Sequence, residues 1–146
     1  MAKEENEAIV HRFVEEVMNG GNLEAAEDLI APDHVNHDPT APEVPPGPEG
    51  IKQLIGMYRS AFPDIRFETG EMISEGATVA HRWTFTGTHQ GAMMGVEPTG
   101  KMVEVSGVEM NHVEDGRITA SWTVSDAMGL MRQLGALQLI GKKPSD

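Results

Sequence analysis

Ile118-Thr119-Ala120-Ser121-Trp122-Thr123-Val124-Ser125-Asp126 alternates at every step. Ile118, Ala120, Trp122 and Val124 fall on one face of an extended chain, and Thr119, Ser121, Thr123 and Ser125 fall on the other. That two-residue period is the mark of a strand with one face in a core. The next position on the apolar face is Asp126, a carboxylate where another hydrophobic residue would continue the pattern.

Working backward from this strand, "EDG" at 114–116 predicts a three-residue hairpin loop with Gly116 in the left-handed position. The preceding run, "MVEVSGVEMNHVE" at 102–114, carries Val103 and Val105 at odd positions but Val108, Met110 and His112 at even ones. One extra residue at Ser106-Gly107, a β-bulge, would return them all to a single face. The runs 65–76 and 77–89 are separated by a turn at Glu75-Gly76, and the second alternates. Val79, His81, Trp83, Phe85, Gly87 and His89 share a face, and Arg82 points away from it. Everything from Asp64 to Asp126 therefore reads as strand.

The first half of the chain is helical in period. Ile9, Phe13, Val14 and Val17 mark a helix over 4–19, with Glu4, Glu5 and Glu7 in its first turn where the helix dipole favours anions. Asn22 can cap a shorter helix carrying Leu23, Ala26, Leu29 and Ile30. Residues 31–48 are rich in proline and predict a loop around a short extended piece, "HVNH". A third helix starts near Pro48 and passes through Ile51, Leu54, Ile55 and Tyr58 to Phe62, where Pro63 stops it. A fourth, short helix runs from Ala127 to Leu134 and ends at Gly135. The fold class is α+β: a bent, antiparallel sheet with three helices over its concave face and a C-terminal helix. A bulged sheet curls, and helices laid over it can leave a cavity. Residues 1–146 read as one domain with an ordered core of about 4–136 and a flexible tail at 137–146.

Composition narrows the function. The net charge of -12 argues against nucleic-acid and anionic-membrane partners, which are held through basic patches. The chain contains no cysteine, so disulfides and thiolate metal sites are excluded. The N-terminus lacks a signal-peptide pattern and no apolar run is long enough to span a bilayer, which predicts a cytoplasmic protein.

A three-residue loop would pair Met110 with Ala120 and Val108 with Trp122, and after the bulge Val103 would face Asp126. Asp126 would then stand at the rim of the concavity near His89, with Trp122, Phe85, Trp83, Val105 and Met110 deeper in. A desolvated aspartate there has a raised pKa and suits general acid/base work. The structural alternative is that Asp126 is simply the N-cap of the last helix. His34, His37 and Asp38 hint at a metal, but strand positions three apart face opposite ways, so no metal site is assigned and His37 is read as a pocket-lining residue. His81 and His112 read as core histidines. "GTHQGAMMG" lacks the phosphate-binding glycine patterns, and its Met93-Met94 pair suits an adaptable lid. The opposite sheet face, with Thr84, Thr86, Glu104, Glu109, Thr119, Ser121 and Thr123, predicts a homodimer interface.

"VNHDP", "PEGIKQLIGMYRSAFPDIRF", "VAHRWTFTGTHQG", "PTGKMVEVSG", "VEDGRI" and "SDAMGLMRQLG" occur in an order that resembles the SnoaL-like polyketide cyclases (ester cyclases). These belong to the cone-shaped α+β barrels similar to nuclear transport factor 2 and ketosteroid isomerase. The resemblance spans roughly Ile9 to Gly135. It implies a cofactor-free, metal-free intramolecular aldol closure of a polyketide-like carbonyl ligand, with the family's acid/base aspartate falling on Asp126 and an accompanying histidine at or near His112. Tyr58, Trp83, Phe85, Val105, Met110, Trp122 and His37 would then line the substrate pocket. Two other readings remain open at this point: another enzyme on the same cone, such as a ketosteroid-type isomerase, and a non-catalytic binding or dimerisation module. An epoxide hydrolase is disfavoured because its relay needs an inward arginine and Arg82 is expected to face out.

Overall fold

A computed structural model describes residues 3–136; the tail expected at 137–146 lies outside the described residues. Helix α1 (Lys3–Arg12) widens into a π-helical segment, Phe13–Asn19, and a 3-10 turn at Leu23–Ala25 leads into α2 (Ala26–Leu29). Strand β1 (Ile30–His37) follows, then a loop and α3 (Pro48–Ala61). Four long strands complete the sheet: β2 (Arg66–Glu75), β3 (Thr78–Thr88), β4 (Met102–Glu114) and β5 (Arg117–Ser125), closed by α4 (Ala127–Gln133). Pro48 stands in the first turn of α3, where its missing N–H costs no intrahelical bond.

The sheet is curved, in the order β1-β5-β4-β3-β2. Its four long strands are antiparallel, as the alternation predicts, but β1 pairs parallel with β5 and makes the sheet mixed. What reads in the sequence as a short extended piece inside a loop is thus an eight-residue edge strand. The helices pack on one face. Val10, Phe13, Val17, Leu29, Ile51 and Ile55 meet Val79, Val113 and Ile118 at one end of the sheet. Val14, Phe62 and Leu130 meet Phe67, Phe85, Val103 and Val105 at the other.

Three details overturn the expected register. The hairpin between β4 and β5 has two residues, not three: Glu114 pairs with Arg117, and Asp115 and Gly116 both have positive φ. Asp-Gly is the pair that a mirror-image I′ turn prefers. The register shift then falls between His112 and Val113, which pair with Ala120 and Ile118, so Thr119 is the extra residue. At Ser106-Gly107 the pairing of β4 with β3 is unbroken from His112 to Met102, and no bulge exists there. Gly107 has another purpose. A Cβ at that position would run into the Trp83 indole and the Val124 carbonyl, so the glycine permits the ring to lie across the strand.

The consequence is an inversion of faces in the middle of the sheet. Ile118 points into the core, but the extra residue at Thr119 turns Ser121 and Thr123 inward and Trp122 and Val124 outward. On β4 the odd residues remain inside throughout, half-burying Glu109 and burying Asn111, while Val108 and Met110 face solvent at 52% and 40% exposure. Apolar side chains thus sit outside and polar ones inside, against the ordinary sense of the pattern.

Candidate functional site

The concavity between the π-helical segment, α3 and the sheet holds a cavity that opens to solvent. Phe13, Val14, Ile55, Phe67, Trp83, Phe85 and Val105 give it apolar walls. Trp83 and Phe85 stack at 6.2 Å, and Phe67 meets Phe85 at 5.5 Å. Met94, from the loop after β3, also lines it, whereas Met93 packs into the core. Tyr58 lines the cavity from α3, its ring edge-on to Phe85. Burial, aided by the negative charge of Asp38, pushes the phenol up to about 12, so it stays an O–H donor at neutral pH.

The polar residues turned inward by β1, β3, β4 and β5 form one connected network. His81 Nε2 lies 3.3 Å from Glu109 Oε1, and Asn111 Nδ2 donates to the same oxygen at 2.9 Å. Thr123 Oγ1 donates to Glu109 Oε2 at 3.0 Å. Ser121 Oγ donates to Asn111 Oδ1 at 2.7 Å, and His34 Nε2 lies 3.0 Å from Ser121 Oγ. Glu109, Ser121 and Thr123 reach the cavity, as do Asn36 and Asp38 from the end of β1 and the loop after it. Burial alone would push the Glu109 carboxyl up, but the bond and charge of His81 and the bonds from Asn111 and Thr123 outweigh it and hold the group below the ordinary glutamate value. Burial pushes His34 down to about 4, against the pull of Glu109, so its ring is neutral near pH 7.

Of the residues singled out from the sequence, Tyr58, Trp83, Phe85 and Val105 line this cavity. Met110, Trp122 and His37 do not. Trp122 stacks on His37 at 4.9 Å and meets His112 at 4.8 Å, all on the outer face, because the extra residue at Thr119 reverses the parity of β5. His112, expected in the core or beside Asp126, pairs instead across from Ala120. Asp126 is exposed rather than at an apolar rim. Its Oδ1 accepts the Gly129 N–H at 2.8 Å, capping α4, and a Cβ on Gly129 would collide with that carboxylate. Its neighbours Ser125 and Ala127 line the cavity, but Asp126 does not. His89 is completely buried beneath Phe62, its Nδ1 taking the Thr99 N–H at 3.1 Å, and it closes the base of the loop that carries Met94. Glu109, Ser121 and Thr123, expected on the outer face, are the polar floor of the cavity.

The missed residues carried two signals. Asp115-Gly116 favours a two-residue turn, which alone moves the β4–β5 register by one. Glu109-x-Asn111 and Ser121-x-Thr123-x-Ser125 are themselves alternating sets that belong on a common face. Among the described residues no cluster of three or more acidic or histidine side chains is arranged to hold a metal ion, and no helix is long and apolar enough to cross a membrane.

Comparison with known proteins matches residues 8–134 to the model of the SnoaL-like polyketide cyclase family. The nogalonic acid methyl ester cyclase of Streptomyces nogalater is 28% identical over 118 residues, covering 80% of this chain and 88% of that one. The aklanonic acid methyl ester cyclase of Streptomyces galilaeus is 29% identical over 129 residues, covering 88% and 89%. A candidate polyketide cyclase from Acidithiobacillus ferrooxidans superposes with a TM-score of 0.82 at 32% identity, covering 92% of this chain and 98% of that one.

Proposed function

Because the chain belongs to the SnoaL-like polyketide cyclase family, we propose that its concavity binds an apolar, carbonyl-rich polyketide ester and closes a carbon ring by intramolecular aldol addition. The reaction is an isomerisation. A carboxylate removes the proton from a carbon flanked by carbonyls, the resulting enolate carbon attacks a ketone of the same molecule, and the new alkoxide is reprotonated. Atoms and electrons balance with no oxidant or reductant, and no cofactor is called for. The observation that carries this reading is a half-buried carboxylate in a cavity with aromatic walls, held below the ordinary glutamate value by the hydrogen bonds of His81, Asn111 and Thr123. Tyr58 supplies a neutral O–H donor on the opposite wall for the developing oxyanion. Such a site has the acid/base equipment that a plain binding module has no use for. A ketosteroid-type proton transfer would use the same carboxylate without forming a bond between carbons.

The two curated relatives are named for nogalonic and aklanonic acid methyl esters, and these esters are the substrates to offer. Incubation with either, followed by chromatography and mass measurement, should give a product of unchanged mass and altered retention. Recovery of unchanged ester at enzyme-like concentrations from both incubations would refute the cyclase reading.

The outer face supports a homodimer, through residues other than those the alternation suggested. Ile73 on β2, Val108 and Met110 on β4 and Val124 on β5 are exposed apolar side chains, at 65%, 52%, 40% and 61% exposure, and they border one groove with Trp122. A contiguous apolar patch of this kind, rimmed by the Arg82–Glu71 pair, suits a two-fold interface with a second copy of the same face. Light scattering should return twice the chain mass for the parent and a single mass for Val108→Lys. A parent of single-chain mass at micromolar concentration would end the dimer proposal.

A further inference from the structure

We propose that Glu109, and not Asp126, is the catalytic carboxylate of the cavity, taking the proton from the attacking carbon and returning it to the alkoxide, with His81, Asn111 and Thr123 as its positioning residues. This deepens the cyclase reading and rests on it.

The directions of the hydrogen bonds carry the argument. An ionised carboxylate can only accept, so Asn111 must present its amide nitrogen to Glu109 Oε1. Its amide oxygen is then an acceptor and takes the Ser121 hydroxyl proton. With that proton committed, Ser121 Oγ can only accept from His34, which fixes the His34 proton on Nε2. From His34 to Ser121 to Asn111, each donor points toward Glu109, and His81 and Thr123 add two more from other sides. Five residues on four strands are thus oriented around one anion. A proton on Oε1 would set a donor against this inward-directed chain, which leaves Oε2 to take it.

Access completes the case. Oε1 receives two donors, whereas Oε2 receives Thr123 alone and keeps a lone pair free. Glu109 lines the cavity and its side chain retains 14% exposure. Among the described residues the other carboxylate in the lining is Asp38, whose Oδ1 is taken by the N–H and hydroxyl of Thr40. The Asp126 carboxylate is occupied by the α4 backbone and faces solvent. When Oε2 takes the proton from carbon, the C–H electron pair passes into the enolate, the new carbon–carbon bond forms, and the ketone π pair goes to oxygen. Returning the proton to that oxygen restores the carboxylate.

The test separates proton abstraction from ring closure. Aklanonic acid methyl ester in D2O, followed by NMR, reports deuterium exchange at the acidic carbon, and chromatography reports closure. The parent should do both. Glu109→Gln, which keeps the shape, should lose both by on the order of 10²-fold or more while still binding the ester. Parental rates in Glu109→Gln, or their loss in Asp126→Asn alone, would overturn the Glu109 assignment and leave the cyclase reading standing. A parent that neither exchanges nor cyclises overturns both. Should Glu109→Gln fail to fold, Thr123→Val removes one bond that keeps Glu109 ionised, so the acid limb of the rate profile should move to higher pH. An unmoved limb counts against the proposal, because a purely structural role for Thr123 would leave it in place.

Discussion

Lowering the pH from about 7.5 to about 4.5 should cost the folded protein roughly 2–3 kcal/mol through His34 alone. The unfolded chain takes up a proton at this histidine near its ordinary value of 6.5, whereas in the fold it is pushed down to about 4. Stability from His34 is therefore complete above 6.5 and is lost as pH falls toward 4. Glu109, also depressed in the fold, acts with the same sign in more acid solution, where the unfolded carboxylate binds a proton that the folded one refuses. His34→Gln retains an N–H for Ser121 but does not titrate. It should be less sensitive to acid by most of that amount, as read from urea unfolding at the two pH values. Parallel pH dependence in parent and variant would contradict the placement of His34 as a buried neutral donor.

Asn111→Leu should be the most damaging substitution of similar size in the sheet. Asn111 is 1% exposed and links Glu109 to Ser121. A leucine fills the space but leaves the Ser121 hydroxyl without its acceptor and takes one of Glu109's three donors away. Buried groups left unpaired in this way cost about 1–3 kcal/mol each, so a loss of about 3 kcal/mol is expected. With one fewer donor the Glu109 pKa should rise, and the acid limb of the rate profile should move upward with it. Thermal or urea denaturation and a pH–rate profile read both effects. A variant as stable as the parent would show that the network is not satisfied as described.

Element order and type were legible in the sequence because proline, glycine and hydrophobic period act locally. Pro48 and Pro63 bracket α3, and the alternating runs after Asp64 are β2 to β5. The orientation of the faces was not legible, because it depends on the β4–β5 turn and on one extra residue. Placing apolar side chains inside is ordinarily sound, and on that basis Trp122, Met110 and Val108 belong in the core. Here the outer face carries them, and the inner face carries Glu109, Asn111, Ser121 and Thr123. Gly107 was misleading for a related reason: a glycine inside a strand signals either a bulge or a close approach, and only the position of the Trp83 ring decides between them. Asp126 followed the same error. Two plausible rules, apolar-in and bulge-at-glycine, together carried it to the pocket rim, whereas the actual register leaves it outside as a helix cap. Strand β1 was obscured because Pro32 lies within it, Pro39 follows it, and its partner, β5, is remote in sequence.

The most direct measurement of the central claim is a crystal structure of the protein with a cyclised methyl ester bound. The product carbon that formed the new bond should lie within about 3.5 Å of Glu109 Oε2, with the ring system against Trp83 and Phe85. A ligand in the cavity whose reacting carbon stands beside Asp126 and away from Glu109, or one bound on the outer face along Met110 and Trp122, would contradict it.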